Sequence, residues 1–325
     1  MIENRIFEIQ SRQIFETTAL EVFRWQYEHI PVYQRFCNLL QTNPKEVNSI
    51  GKIPFLPIEF FKSKKVIAKG NTPEITFTSS GTTGKATSHH LVAHTHLYEK
   101  SFLEGFKIRY GAPENWTILA LLPSYLEREG SSLVYMADAL IKMSRHPESG
   151  FYLNEFDSLA ATLDNLEEKG QKTLLIGVSF ALLDFLESHS FNLEHTVIME
   201  TGGMKGRRKE MVREELHAIL KNGFGVSHIH SEYGMTELLS QAYSNGNGIF
   251  ECPPWMGIYT RDPEDALSQV VGKTGGINVI DLANLYSCSF IATQDLGKNH
   301  SDGSFEILGR FDTSDVRGCN LMVSL

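Results

Sequence analysis

Three runs of almost continuous apolar residues, WTILALL at 116–122, TLLIGVSF at 173–180 and HTVIMETGG at 195–203, each lead into a stretch of helical character. A strand that reads apolar throughout is buried on both faces, the mark of a parallel sheet rather than of an antiparallel sheet with one wet face. The helical partners are EGSSLVYMADALIKMS, ALLDFLESH and the charged KGRRKEMVREELHAILKNG. Strand and helix in alternation predict an α/β fold, with a largely parallel sheet covered by helices on both faces. Ligands of such sheets bind at the carboxyl ends of the strands, where Thr201, Gly202, Gly203 and the end of VSHIHSEYGMTE fall.

The flanking regions differ in texture. From residue 2 to about residue 40, Ile6, Ile9, Phe15, Leu20, Phe23 and Tyr27 recur at roughly helical spacing, and Pro31 interrupts them, so two packed helices are expected. Pro54 and Pro57 in IGKIPFLPIEFFKS favour an extended run. HHLVAHTHLYEKSF reads as a strand to Ala93 and a helix capped near Thr95. Beyond Ser244, short runs punctuated by Gly, Pro and Asn suggest a smaller β-rich subdomain. The expected division is 1–245, a helical N-terminus with the α/β core, and 246–325, the β-rich part.

Composition narrows the function classes. In 325 residues, 42% hydrophobic content provides for a sizeable core, and a formal charge of -9 argues against a general nucleic-acid or membrane-surface binder. The basic runs KSKK at 62–65 and KGRRK at 205–209 read as solvated faces, or as helpers at a phosphate site. Cys37, Cys252, Cys288 and Cys319 are far apart, so neither a zinc site nor a disulfide framework is indicated. His89, His90, His94 and His96 fit no common metal spacing, and adjacent His89 and His90 on a strand point to opposite faces. The opening MIENRIFEIQ lacks a signal-peptide core and no run is long enough to span a membrane; a cytoplasmic protein is expected.

The stretch with chemistry in it is TFTSSGTTGKATS, 76–88. Gly81 and Gly84 leave room for backbone N–H groups to turn toward an anion, Ser79, Ser80, Thr82 and Thr83 add hydroxyl donors, and Lys85 adds a mobile charge. A Walker A loop would need glycine at 79 and a hydroxyl at 86; Ser79 and Ala86 stand there instead. A polar hairpin between two strands has similar composition, and Lys85 together with downstream motifs argues for phosphate binding. In SEYGMTE, 231–237, Glu237 offers a hard oxygen for Mg²⁺, Thr236 a hydroxyl for a phosphate and Tyr233 a ring for a base. QDLG at 294–297 and GRFD at 309–312 follow in order.

This ordered set resembles the ANL superfamily of adenylate-forming enzymes, from about residue 76 to residue 317. Within it, LLPSYLEREGSSL, ETGGMKGRR and EYGMTEL look most like the bacterial acyl-protein synthetases, long-chain-fatty-acid luciferin-component ligases. The resemblance implies that Ser79, Ser80, Gly81, Thr82, Thr83, Gly84 and Lys85 hold the phosphates of ATP, and that Gly202, Gly203 and Tyr233, with Gly234 in the turn, bracket the adenine. It likewise implies Thr236 on the α-phosphate, Glu237 on Mg²⁺, Asp295 on the ribose and Arg310 beside it. Gln294 departs from the glycine usual before the ribose aspartate. A further mobile lid with a catalytic lysine usually follows GR-x-D, whereas 13 residues follow it here, so adenylate formation without it or completion by a partner is expected.

The implied activity is ATP-dependent activation of a carboxylic acid to an acyl-adenylate, with transfer to a protein thiol. Cys319, seven residues from the end counting both, matches the position of an acyl-carrying cysteine; the plain alternative is a small apolar residue in a final strand. A fatty acid is expected if ALLPSYL, SSLVYMADALI and IGVSFALLDFL line a site, and is not if those segments are simply core. Transfer to coenzyme A or a carrier protein, and an inert nucleotide-binding scaffold, are the rival readings.

Overall fold

The computed structural model describes residues 2–79, 87–122, 130–153, 155–202 and 211–311. The N-terminal region forms helices α1 (Ile2–Ile6), α2 (Arg12–His29) and α3 (Pro31–Leu39). Pro31 breaks the run as its sequence position requires, because a proline is tolerated at the first position of α3 and not within α2. Helix α2 buries Phe15, Ala19, Val22, Phe23 and Gln26, the stripe that a 3.6-residue period puts on one face. Gln26 is fully buried because its amide bonds the carbonyls of Asn284 and Leu285 and the backbone N–H of Ser289, at 3.1, 2.8 and 3.0 Å. That one side chain ties the N-terminus to a segment more than 250 residues later.

After strand β1 (Leu56–Pro57) the expected extended run gives way to a single helical turn, α4 (Phe60–Ser63). Strands β2 (Ile75–Thr78) and β3 (His89–Val92) form an antiparallel hairpin, followed by helix α5 (Thr95–Tyr110). Thr95 is the first helical residue rather than its cap. Glu74, just before β2, accepts from its backbone N–H at 2.8 Å and from its hydroxyl at 2.7 Å.

The α/β core follows as β4 (Thr117–Leu121), α6 (Ser132–Ser144), β5 (Gly150–Phe151), α7 (Phe156–Glu168), β6 (Thr173–Val178), α8 (Ser179–Phe185), β7 (Thr196–Thr201), α9 (Arg213–Phe224), β8 (His230–Tyr233) and β9 (Ala242–Ser244). These strands make a sheet of order β5-β4-β6-β7-β8-β9, parallel throughout except for the β8–β9 pair. The three apolar runs are three of its central strands, as their composition predicts.

The remaining strands are β10 (Ile249–Phe250), β11 (Met256–Arg261), β12 (Gln269–Val270), β13 (Gly275–Asp281), β14 (Phe290–Asn299) and β15 (Phe305–Arg310). They form a second sheet of order β10-β15-β14-β13-β11-β12, and β1 joins it beside β14. An aromatic cluster of Phe23, Tyr33 and Phe55 around Phe290 packs the N-terminal helices onto this sheet. No helix among the described residues is long and apolar enough to cross a membrane.

Candidate active site

Strand β8 ends between the two sheets, and its last residue reaches across. The Tyr233 hydroxyl donates to Asp295 Oδ2 on β14 at 2.8 Å. Register on β14 and β15 pairs Asp295 with Arg310, whose Nε donates to the other carboxylate oxygen at 2.9 Å. Asp295 is 6% exposed, and an ionised carboxylate offers about four lone-pair positions, so two remain for further donors. The Tyr233 ring rests against Phe250 and Phe305, and burial, then the neighbouring Asp295 charge, raises its phenol well above the ordinary value. Gln294, the departure from glycine, is accommodated: its side chain donates to Glu59 and its carbonyl accepts from Phe311.

The segment after Tyr233 is fixed from below. Asp281, fully buried at the end of β13, accepts from the backbone N–H of Leu239 and Ser240 at 2.7 and 3.0 Å, and from the Ser240 hydroxyl at 2.6 Å. Burial pushes its pKa up to about 6 against these donors. Asn284 donates to the Glu237 carbonyl at 2.8 Å, and its Oδ1 lies 2.9 Å from His90 Nε2. His90 Nδ1 lies 2.8 Å from the Thr236 carbonyl. Burial drives His90 down to about 4, while the two facing oxygens act in the opposite sense. His89 is exposed and His90 buried, as strand alternation requires. Among the described residues no group of three or more His, Cys, Asp or Glu is placed to hold a metal.

The stem of the Ser/Thr/Gly-rich loop arrives at the same edge. Ser79 and Ser88 close it, with Ser79 N donating to the Ser88 carbonyl at 3.2 Å and Ser88 N to Ser79 Oγ at 2.9 Å. The Glu237 carboxyl, 5% exposed, has its pKa raised by burial, and the Ser88 hydroxyl bonds it in opposition. Ser79, Thr236 and Glu237 thus come together, and Arg310 of the Asp295 network is near enough to act on the Glu237 carboxyl. Gly202 lies at the end of β7 with φ of 68°, a left-handed conformation suited to glycine, and its carbonyl accepts from Ser179 Oγ at 2.8 Å. Gly234 leaves room for the Glu232 carboxyl, since a Cβ there would lie 2.3 Å from Glu232 Oε1. Ser80, Gly81, Thr82, Thr83, Gly84, Lys85, Gly203 and Cys319 lie outside the described residues.

Sequence reasoning weighed His90 only as a metal ligand and missed Asn284, Asp281, Ser179 and Glu232. The available signal was a charge at the end of the apolar run GGINVID, since a buried carboxylate needs partners.

This fold is shared with 2-hydroxyisobutyryl-CoA ligase and MatB. An open conformation of 2-hydroxyisobutyryl-CoA ligase, in complex with 2-HIB-AMP and CoA, superposes with a TM-score of 0.69 at 12% identity, covering 94% of this chain and 72% of that one. ATP-bound MatB from Rhodopseudomonas palustris gives 0.54 at 19% identity, covering 72% of this chain and 47% of that one, so the match spans about half of MatB. A family model, acyl-protein synthetase, LuxE, matches residues 5–97, which run from the N-terminal helices through the β2–β3 hairpin into α5. No curated protein sequence matches the chain significantly.

Proposed function

We propose that this chain performs the activating step of an AMP-forming acid–thiol ligase. A carboxylate oxygen of the acid attacks the α-phosphorus of ATP, the bond from that phosphorus to the bridging oxygen breaks, and pyrophosphate leaves. A thiolate then attacks the acyl carbon and AMP departs. The observation that carries this reading is the meeting at one edge of the Ser79–Ser88 stem, Glu237, and Asp295 with its Tyr233 and Arg310 donors. The likeness to proteins solved with ATP, or with an acyl-adenylate and CoA, supports it. On this reading 1–245 is the acid-activating core and 246–325 the β-rich subdomain carrying the ribose contacts.

Each residue's part follows from position and chemistry. The loop of Ser79, Ser80, Gly81, Thr82, Thr83, Gly84 and Lys85 holds the phosphates, Gly202, Gly203, Tyr233 and Gly234 frame the base, Thr236 meets the α-phosphate, and Asp295 takes the ribose hydroxyls beside Arg310. Mg²⁺ keeps several waters and takes one or two carboxylates together with substrate phosphates, so the single buried carboxyl of Glu237 beside the phosphate stem fits it. Bound there, the ion would offset charge developing on the phosphates. The protein's own contribution is positioning, with no protein nucleophile in the first step.

The acceptor is proposed to be a protein thiol, with Cys319 as an acyl carrier; coenzyme A or a carrier-protein thiol is the competing acceptor. A fatty acid is the acid class proposed from sequence. Of its supporting segments, IGVSFALLDFL is packed core, with Ile176, Val178, Leu182 and Phe185 buried, whereas in SSLVYMADALI only Met136, Ala137 and Leu140 are buried and the rest is partly exposed. Pyrophosphate exchange into ATP across a panel of acids tests the activating step without the acceptor. Exchange with some acids is expected; exchange with none in a broad panel leaves the inert scaffold. For the acceptor, labelled acid and ATP should leave hydroxylamine-sensitive label on the wild type and none on Cys319→Ser. Equal label on both removes the carrier role.

A further inference from the structure

Strand β14 departs from its partner at the place where it carries Asp295. Register pairs Asn278 of β13 with Ala292 and Gly276 with Leu296, so Thr293, Gln294 and Asp295 on β14 stand opposite Ile277 alone. Extra residues of this kind disrupt the ladder, bend the strand and re-aim side chains. From this bulge Asp295 meets Tyr233 and Arg310.

Arg261, the last residue of β11, reaches the bulge from the far side of β13. Its Nη1 donates to the Ile277 carbonyl and to Asn278 Oδ1, both at 2.8 Å, and its Nη2 to the Thr293 carbonyl at 2.6 Å. Gly276, opposite Arg261 in register, leaves space for the head group: a Cβ there would lie 2.6 Å from Arg261 Cζ. Thr293 Oγ1 donates to the same Ile277 carbonyl at 2.9 Å and accepts from the Asp295 N–H at 3.1 Å. The guanidinium thus fixes both carbonyls that flank Thr293, and through Thr293 the backbone of Asp295. It also faces β15. Its Cζ lies over the Phe311 ring, 5.5 Å from the centroid, and the Phe311 N–H, one residue after Arg310, donates to the Gln294 carbonyl at 2.8 Å.

An arginine kept for its charge pairs with a carboxylate. Among the described residues the hydrogen bonds of Arg261 go instead to neutral oxygens at the bulge, while Glu59 and Asp295 act on it through space. A planar fork with donors in fixed directions suits two divergent carbonyls, where a lysine ammonium would be a mobile point charge. Asn278 and Thr293 are buried, so loss of the fork leaves their oxygens short of donors and the bulge free to change shape.

We infer that Arg261 is a positioning residue for the nucleotide: it holds the β14 bulge and the Phe311 ring so that Asp295 and Arg310 meet in the geometry that takes the ribose hydroxyls. The inference rests on the reading of Asp295 as the ribose contact and extends it to a side chain that acts through others.

Nucleotide binding without acid tests it, with titration calorimetry giving Kd for ATP, 2′-deoxy-ATP and 3′-deoxy-ATP in the presence of Mg²⁺. The wild type should bind ATP about 10-fold to 100-fold more tightly than at least one deoxy analogue, as a hydrogen bond to a charged group implies. Asp295→Ala should abolish that preference. Arg261→Gln should shrink it to about 3-fold or less by weakening ATP while nearly sparing the deoxy analogue, and Arg261→Lys should fall between. Added to Asp295→Ala, Arg261→Gln should change ATP binding little, because the two residues act through one contact. ATP and the deoxy analogues weakened alike, with the preference intact, would mean a merely structural role and overturn the inference; failure of both Arg261 variants to fold would do the same. A wild type that binds no ATP or shows no preference, or a preference that survives Asp295→Ala, would overturn the ribose assignment and the inference with it.

Discussion

The two sides of strand β8 treat buried polarity in opposite ways. Toward the second sheet, Tyr233, Asp295 and Arg310 satisfy one another, and the carboxylate keeps a cationic neighbour. Toward α5, Glu232 accepts from the Thr201 hydroxyl, and among the described residues Gln241 Oε1 and the Tyr243 hydroxyl have no hydrogen-bond partner. A single residue step along a strand switches between these environments, because successive side chains point to opposite faces. On the proposed reading the side with Asp295 is the one preorganised for the nucleotide.

Substitutions can break that contrast, and the largest effect belongs to the proposed Mg²⁺ and phosphate contacts. Glu237→Gln and Lys85→Ala should each reduce acid-dependent exchange by roughly 30-fold to 1,000-fold, about 2 to 4 kcal/mol of transition-state stabilisation, with the fold intact by circular dichroism. Near-normal exchange in either variant removes that residue from the site. On the complete side, Asp295→Ala loses a charge-assisted contact and strands the Tyr233 hydroxyl. The KM for ATP should rise about 10-fold to 100-fold, from roughly 1.5 to 3 kcal/mol, while the preference among acids is unchanged. A changed acid preference would mean that the two sides are not separate.

On the incomplete side, burial raises the Glu232 carboxyl from 4.5 to about 7, with Glu200 adding to the shift and the Thr201 hydroxyl opposing it. The folded chain thus retains a proton that the unfolded chain releases. Its contribution to stability is full below pH 4.5 and is lost as pH rises through about 7. Glu232→Gln should therefore stabilise the ligand-free protein at pH 8 by about 1 to 3 kcal/mol, and change it little at pH 4.5, as thermal denaturation at the two pH values would reveal. Equal effects at both would locate the change elsewhere. The smallest effect is that of Tyr233→Phe, which removes one hydrogen bond and keeps the ring: about 0.5 to 1.5 kcal/mol, or a few-fold in the KM for ATP.

How legible all this was depended on whether a residue's role is local. The central strands were readable because burial on both faces writes itself into composition, as in TLLIGV, and Pro31 marked its own helix boundary. Edge strands were not: β5 has two residues, too short for any period to register. Tyr233, Glu237, Asp295 and Arg310 stood out through ordered motifs, and the structure brings the first and the last two into one hydrogen-bonded network. Their supports left no such trace. Asn284 acts on Glu237 through a carbonyl 47 positions away, and His90 reaches Thr236 across 146, so only the folded chain makes them neighbours. Glu232 lay within a recognised motif, but its bond to Thr201 depends on which side of the strand it faces.

Oxygen transfer tests the central claim most directly. In an acid labelled with ¹⁸O in both carboxylate positions, attack on the α-phosphorus leaves one labelled oxygen bridging carbon and phosphorus, and cleavage of the acyl bond by a thiol carries that oxygen away on AMP. Incubation with ATP, Mg²⁺ and a thiol acceptor should therefore yield AMP one ¹⁸O heavier by mass spectrometry, with pyrophosphate unlabelled. Label in inorganic phosphate or pyrophosphate, with AMP unlabelled, would contradict adenylate formation.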